Sequence, residues 1–128
     1  MRSYVEFLQD ILEAINRIEK YQAKGREAFF ADELIQNWMV HHIQIIGEAS
    51  GKISDSMKTQ HPEIPWAVIK AMRNVLVHFY FGIKLDTVWQ TIVQDLPALK
   101  GQIQSVLNTL PPSAFPPNFP SEGKEEQD

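Results

Sequence analysis

Apolar positions recur along most of this chain at helical spacing. Tyr4, Leu8, Ile11, Ile15 and Ile18 follow one another at steps of four and three residues, which gathers their side chains on one face of an α-helix. Ser3 with Glu6 three residues later has the pattern of a capping box, so the first helix is predicted to start near Ser3. Gly25 after Lys24 is its predicted stop, with Arg17, Lys20 and Lys24 toward the negative end of the helix dipole. A second stripe, Ile35, Trp38, His42, Ile45, Ala49 and Ile53, predicts a long helix from about Asp32 to Ser56. Gly47 and Gly51 lie inside it, each costing up to about 1 kcal/mol relative to alanine, and so mark close helix packing or a bend. His61-Pro62-Glu63-Ile64-Pro65-Trp66 breaks the pattern, because the residue before a proline is pushed out of the helical region. Pro65 suits the first turn of a third helix, predicted from Trp66 to His78 with Val68, Ile69, Met72, Leu76 and Phe79 packing inward. Phe81-Gly82-Ile83 reads as its exit. Asp86 then reads as the N-cap of a helix from Thr87 to Gln94, and Asp95-Leu96-Pro97 as the start of a fifth through about Thr109, with Leu99, Ile103 and Leu107 apolar. No hairpin dipeptide joins two alternating runs. The pattern predicts an all-α, up-and-down bundle of four to five helices over residues 1–110. Residues 111–128, with five of the eight prolines, read as an acidic, disordered or extended tail.

At 128 residues the chain has room for one core. It contains no cysteine, which rules out disulfides and thiolate metal sites and is compatible with a reducing compartment. No basic segment precedes an apolar run at the start, and nowhere do about 18 apolar residues follow one another, so neither a signal peptide nor a membrane span is expected. A soluble cytoplasmic protein is the default expectation. The net charge is −4, but four tail carboxylates stand against Lys124 alone, so the body is nearly neutral. That argues against non-specific duplex binding through a broad basic face, while leaving room for a small basic pocket around Lys70, Arg73, His78 and Lys84. There is no Gly-rich phosphate loop, no G-x-S-x-G elbow and no pair of histidines four apart, and a zinc site from the four histidines would need unrelated segments to converge. Neither a metal nor a cofactor is expected. His41 and His42 are adjacent, and His42, on the apolar stripe, reads as a core or dimer-contact residue. Trp38, Trp66 and Trp89 read as core residues.

The polar groups that need a reason lie in Met72–Tyr80, MRNVLVHFY, where Arg73, Asn74, His78 and Tyr80 interrupt an apolar helix. On an ideal helix Arg73 and His78 are about 140° apart in azimuth, Arg73 and Tyr80 within about 20°, and Asn74 stacks over His78 at the i,i+4 spacing. Spacing alone leaves two readings equal. Arg73 and His78 are either a satisfied helix arginine and a C-terminal histidine favoured by the dipole, or parts of a site. One site gathers them if the helix ends near His78, if the arginine stem reaches round, or if a second copy of the chain supplies the opposite wall. Glu48 is a candidate counter-charge to Arg73, or else a solvated carboxylate. Chemically, cleavage of an RNA phosphodiester by the neighbouring 2′-hydroxyl needs a base, an acid and positive charge on the developing phosphorane, with no metal required. Histidine supplies acid or base near neutrality, and arginine grips phosphate oxygens with a planar fork. One chain has one histidine in the motif. A symmetric homodimer along the motif helices supplies two, and removes the 140° separation.

RNVLVHFY resembles the R-x4-H-x-Y signature of HEPN domains, and specifically of the HepT-like toxins paired with minimal nucleotidyltransferase antitoxins. Ile46-Gly47-Glu48-Ala49, the His61–Trp66 segment, Phe81-Gly82-Ile83 and the run from Val88-Trp89 to Asp95-Leu96-Pro97-Ala98-Leu99 are similar to that family in the same order. The resemblance implies an all-helical homodimer acting as a metal-independent endoribonuclease toxin of a type II or type VII-like pair. Arg73 and His78 are then catalytic, with Asn74 as supporting polar neighbour. It further implies an antitoxin partner that transfers AMP to Tyr80, filling the cleft and placing phosphate against Arg73. The alternative is a non-catalytic helical module that binds a nucleotide or a nucleotidyltransferase partner.

Overall fold

Ser3 starts the first helix in the way its spacing predicts. Its Oγ accepts from the Glu6 N–H at 3.4 Å, and its own N–H donates to Glu6 Oε1 at 3.0 Å, closing a capping box at the start of α1 (Tyr4–Gln22). The computed structural model describes residues 3–80 and 85–115, with the backbone alone for residues 75–80. Gly25 ends the first helix with φ at 97°, in the region that favours glycine, and its N–H donates to the Gln22 carbonyl at 2.9 Å.

The chain then enters a short helix, α2 (Arg26–Ala31), too brief to show a period in the sequence. Asp32 caps α3 (Glu33–Gly51), its carboxylate accepting from the Leu34 N–H at 2.9 Å. α3 stops at Gly51, not near Ser56 as the stripe predicts. Ser54 breaks it by capping a separate helix, α4 (Asp55–Gln60), where its Oγ accepts from the Met57 N–H at 3.2 Å. After the His61–Pro65 break comes α5 (Trp66–Tyr80), which runs past His78. The predicted exit at Phe81-Gly82-Ile83, the inward packing of Leu76 and Phe79, and Lys84 lie outside the described residues or side chains, as does the tail from residue 116.

α6 (Leu85–Gln90) begins before Asp86, so Asp86 sits in its first turn and its carboxylate takes the Arg26 guanidinium of α2 at 3.1 Å. Asp95 is not a cap. Residues Thr91–Asp95 form a π-helical turn that leads directly into α7 (Leu96–Thr109), with the Leu96 N–H bonded to the Thr91 carbonyl. Proline has no N–H to give and its ring crowds the carbonyl four residues back, and the wider turn just before Pro97 absorbs both. A 3₁₀ turn, Pro112–Ala114, follows.

The described residues form helices and no strand, consistent with an all-α bundle. α3 is its axis. It packs on both α1 and α5, while α7 lies against α1 and the short helices α2 and α6 pack on α3 and on each other. The predicted α1 stripe is buried from Leu8 to Ile18, but α3 buries more than its single predicted stripe: Met39, Ile43 and Ile46 are also fully enclosed. Each such side chain contributes roughly 1.5–3 kcal/mol by leaving water.

Candidate functional site

α5 is fixed at its start before it presents anything. The Pro65 carbonyl accepts from the Val68 and Ile69 N–H groups at 3.0 and 3.2 Å. Trp66 Nε1 donates to the Lys58 and His61 carbonyls at 3.1 and 3.0 Å, tying the helix to the end of α4. Ile69 and Met72 are fully buried and set the rotation of the helix, which leaves Lys70, Ala71, Arg73 and Asn74 exposed.

Arg73 leans toward α3. Its stem passes over the bare Cα of Gly47, so closely that a Cβ built there would overlap Cγ and lie 3.0 Å from Cδ. Its Nη1 is 3.6 Å from the Cβ position of Gly51, the last residue of α3. The guanidinium is therefore at the negative end of the α3 dipole, where a cation is favoured by a few tenths of a kcal/mol up to about 1. Among the described residues no carboxylate pairs with it and no acceptor takes a hydrogen bond from it. Glu48 does not counter Arg73. It is exposed on the α1 side of α3, where it lines a groove of about 150 Å³ with Phe7, Asp10, Ile45, Ala49 and Lys52.

The backbone of α5 continues unbroken through His78 to Tyr80. The described helix thus ends two residues past His78, and within one chain the backbone register of Arg73 and His78 stays about 140° apart. His78 falls one turn beyond exposed Asn74, and Tyr80 falls in register with Arg73. The side chains of His78 and Tyr80 lie outside the description, so the structure places Arg73 and Asn74 as groups and His78 and Tyr80 by backbone register.

His42 is a core histidine, 4 % exposed. A carbonyl can only accept, so its Nδ1–H donates to the Trp38 carbonyl at 2.7 Å, while the Trp38 ring lies against it and Trp38 Nε1 donates to the Arg17 carbonyl at 2.8 Å. Burial pushes the imidazole below its ordinary value, and the charges of His41 and Arg17 add to this, partly offset by the Trp38 carbonyl and Glu13. Among the described residues no three His, Asp or Glu side chains gather as a metal site, and no helix is long and apolar enough to cross a membrane. The seating of the Arg73 stem on Gly47 was not legible in the sequence. Two glycines one turn apart within a helix were visible there, but not the side chain that fills the space between helices.

Fold and site define a small all-helical protein that carries an R-x4-H-x-Y motif on a helix packed against the bundle's central one. The chain belongs to the HepT-like ribonuclease family, whose model matches residues 11–106, a span that holds Gly47, Arg73, His78 and Tyr80 and excludes the tail. It is 40 % identical over 106 residues to a protein of Thermococcus cleftensis named as a probable ribonuclease HepT, covering 82 % of this chain and 96 % of that one. It is 31 % identical to a protein of Methanocaldococcus jannaschii, covering 82 % of this chain and 97 % of the relative, and 31 % identical to one of Caldanaerobacter subterraneus, covering 83 % and 93 %. Both carry provisional RNase names. No solved structure matches the chain.

Proposed function

We infer that this chain is a metal-independent endoribonuclease, the toxin of a toxin–antitoxin pair, whose cleft is shared between two copies. The observation that carries the reading is the exposed Arg73 guanidinium, without a carboxylate partner among the described residues, on one unbroken helix with His78 in a chain of the HepT-like ribonuclease family. A cation left unneutralised at the protein surface is suited to a phosphate. Because the helix does not break, a second copy packed along α5 is the arrangement that brings an arginine and two histidines to one phosphate.

In that cleft one neutral His78 takes the proton of the RNA 2′-hydroxyl as its oxygen attacks phosphorus. The other, protonated, gives its proton to the departing 5′-oxygen. The P–O5′ bond breaks, leaving a 2′,3′-cyclic phosphate and a 5′-hydroxyl, while Arg73 holds the non-bridging oxygens as charge builds on them. Asn74 supports from the next position on the helix. The antitoxin is a nucleotidyltransferase that transfers AMP from ATP to Tyr80, the phenol oxygen bonding to the α-phosphorus as pyrophosphate leaves. The register of Tyr80 beside Arg73 puts the added phosphate where the substrate phosphate would bind.

His78→Ala is expected to lower cleavage of a labelled RNA in EDTA on the order of 10²–10⁴-fold with the helical spectrum intact. Unchanged cleavage by that variant, free of contaminating nuclease, would refute the assignment. Arg73→Lys keeps the charge and loses the fork, and full activity in it would contradict bidentate phosphate binding. Intact mass of the chain expressed with and without a nucleotidyltransferase partner reads the Tyr80 step. A Tyr80→Phe variant that the partner still neutralises would show control by sequestration instead.

A further inference from the structure

We propose that Gly47 is a positioning residue for Arg73, its missing side chain setting where the guanidinium points. The inference rests on Arg73 being the phosphate-binding group of the ribonuclease reading. It starts from the close passage of the Arg73 stem over Gly47, with Nη1 near Gly51 at the end of α3. The atom in the way is Cγ, near the root of the side chain, and Cγ is placed by χ1 alone. An added methyl at Gly47 cannot be avoided by bending the far end of the arginine. It forces χ1 toward another staggered well, about 120° away, or pushes α5 off α3. Either response moves the guanidinium by ångströms, which is the scale on which a transition-state contact is lost.

Gly51 and Gly101 give the contrast. A methyl at Gly51 meets Nη1 at 3.6 Å, ordinary contact, and one at Gly101 on α7 meets nothing within 4 Å. A glycine stripe that served only close helix packing would not discriminate in this way, because the group seated on Gly47 is the polar side chain itself and no backbone.

The test uses the full chain as wild type, Gly47→Ala and Gly101→Ala, each also with Arg73→Ala. Three quantities are read: the NMR resonance of the Arg73 Nε–H, assigned by its loss in Arg73→Ala; steady-state cleavage of a fluorophore–quencher-labelled single-stranded RNA in EDTA; and the urea midpoint. Gly47→Ala is expected to move the Nε–H resonance and to lower kcat about 10–100-fold with KM changed less than about threefold, whereas Gly101→Ala does neither. Gly47→Ala should lower the urea midpoint when Arg73 is present and raise it when residue 73 is alanine, since the overlap is then gone and the helix gains a better former. An unmoved resonance, or the same midpoint shift in both backgrounds, overturns the seat. A moved resonance with unchanged kcat overturns its catalytic consequence. A wild type that never cuts RNA removes the ribonuclease reading, and the seat is then decided by the resonance and the cycle.

Discussion

Three glycines in this chain differ in what holds them small, two by different constraints and one by none, and each predicts a different result for the same substitution. Gly25, at φ 97° and ψ 167°, is there for its backbone: a Cβ meets nothing within 4 Å, so Gly25→Ala should cost only the conformational strain, about 1–3 kcal/mol in urea unfolding. Gly101 has neither constraint, and Gly101→Ala should stabilise the chain by about 0.5–1 kcal/mol through helix propensity. Gly47 is there for Arg73. The sequence singled out Gly25 because a stop after a basic last turn is a local signal. It left Gly47 between packing and a bend, because what fills the space above a helical glycine comes from another element, here 26 residues on. Arg73 was legible as a candidate from its polarity in an apolar helix, whereas its direction was not, since an azimuth says nothing of which neighbour the stem lies on.

The helices that dominate the bundle were legible where one face is apolar and a cap is explicit, as in α1. α3 was half legible. Its stripe through Ile35, His42 and Ala49 is buried, but the neighbouring row of Met39, Ile43 and Ile46 is buried too, because α3 packs on both α1 and α5. Ile43→Ala should therefore cost about 2–5 kcal/mol, while Leu34→Ala, at a position 79 % exposed, should stay within about 0.5 kcal/mol in the same unfolding assay. Ile53 explains the misplaced end of this helix. It is buried and continues the stripe, yet it lies past Gly51, so the apolar period outlasts the helical hydrogen bonds. At Pro97 the predicted start and the end at Thr109 are where α7 has them, but Asp95 makes no side-chain cap and the chain enters from a π turn instead of a break, which a proline alone does not signal.

In the whole molecule, α7 is held to α1 by the Lys100–Glu19 ion pair at 2.7 Å, partly shielded from water. Lys100→Ala is expected to lose no more than about 1 kcal/mol, so the apolar contacts between these helices carry most of their association. His42 couples the fold to pH. Its folded value lies below the 6.5 of the unfolded chain, so between the two values the unfolded state binds more protons and stability rises with pH. The contribution is complete above about pH 6.5 and is lost as pH falls through the folded value. The urea midpoint should drop between pH 7.5 and pH 5.5 by less in His42→Gln than in the wild type, and an identical drop would contradict this role. At this scale a chain's own periodicity does not distinguish a face covered by a second copy from one facing water, so the proposed dimer was not legible in the apolar pattern. The proposed sharing of a cleft between two copies is tested most directly by refolding wild type together with increasing fractions of His78→Ala and measuring cleavage of a labelled RNA in EDTA. With one histidine from each copy required, activity should fall as the square of the wild-type fraction. A linear fall would mean that each chain works alone, against the account.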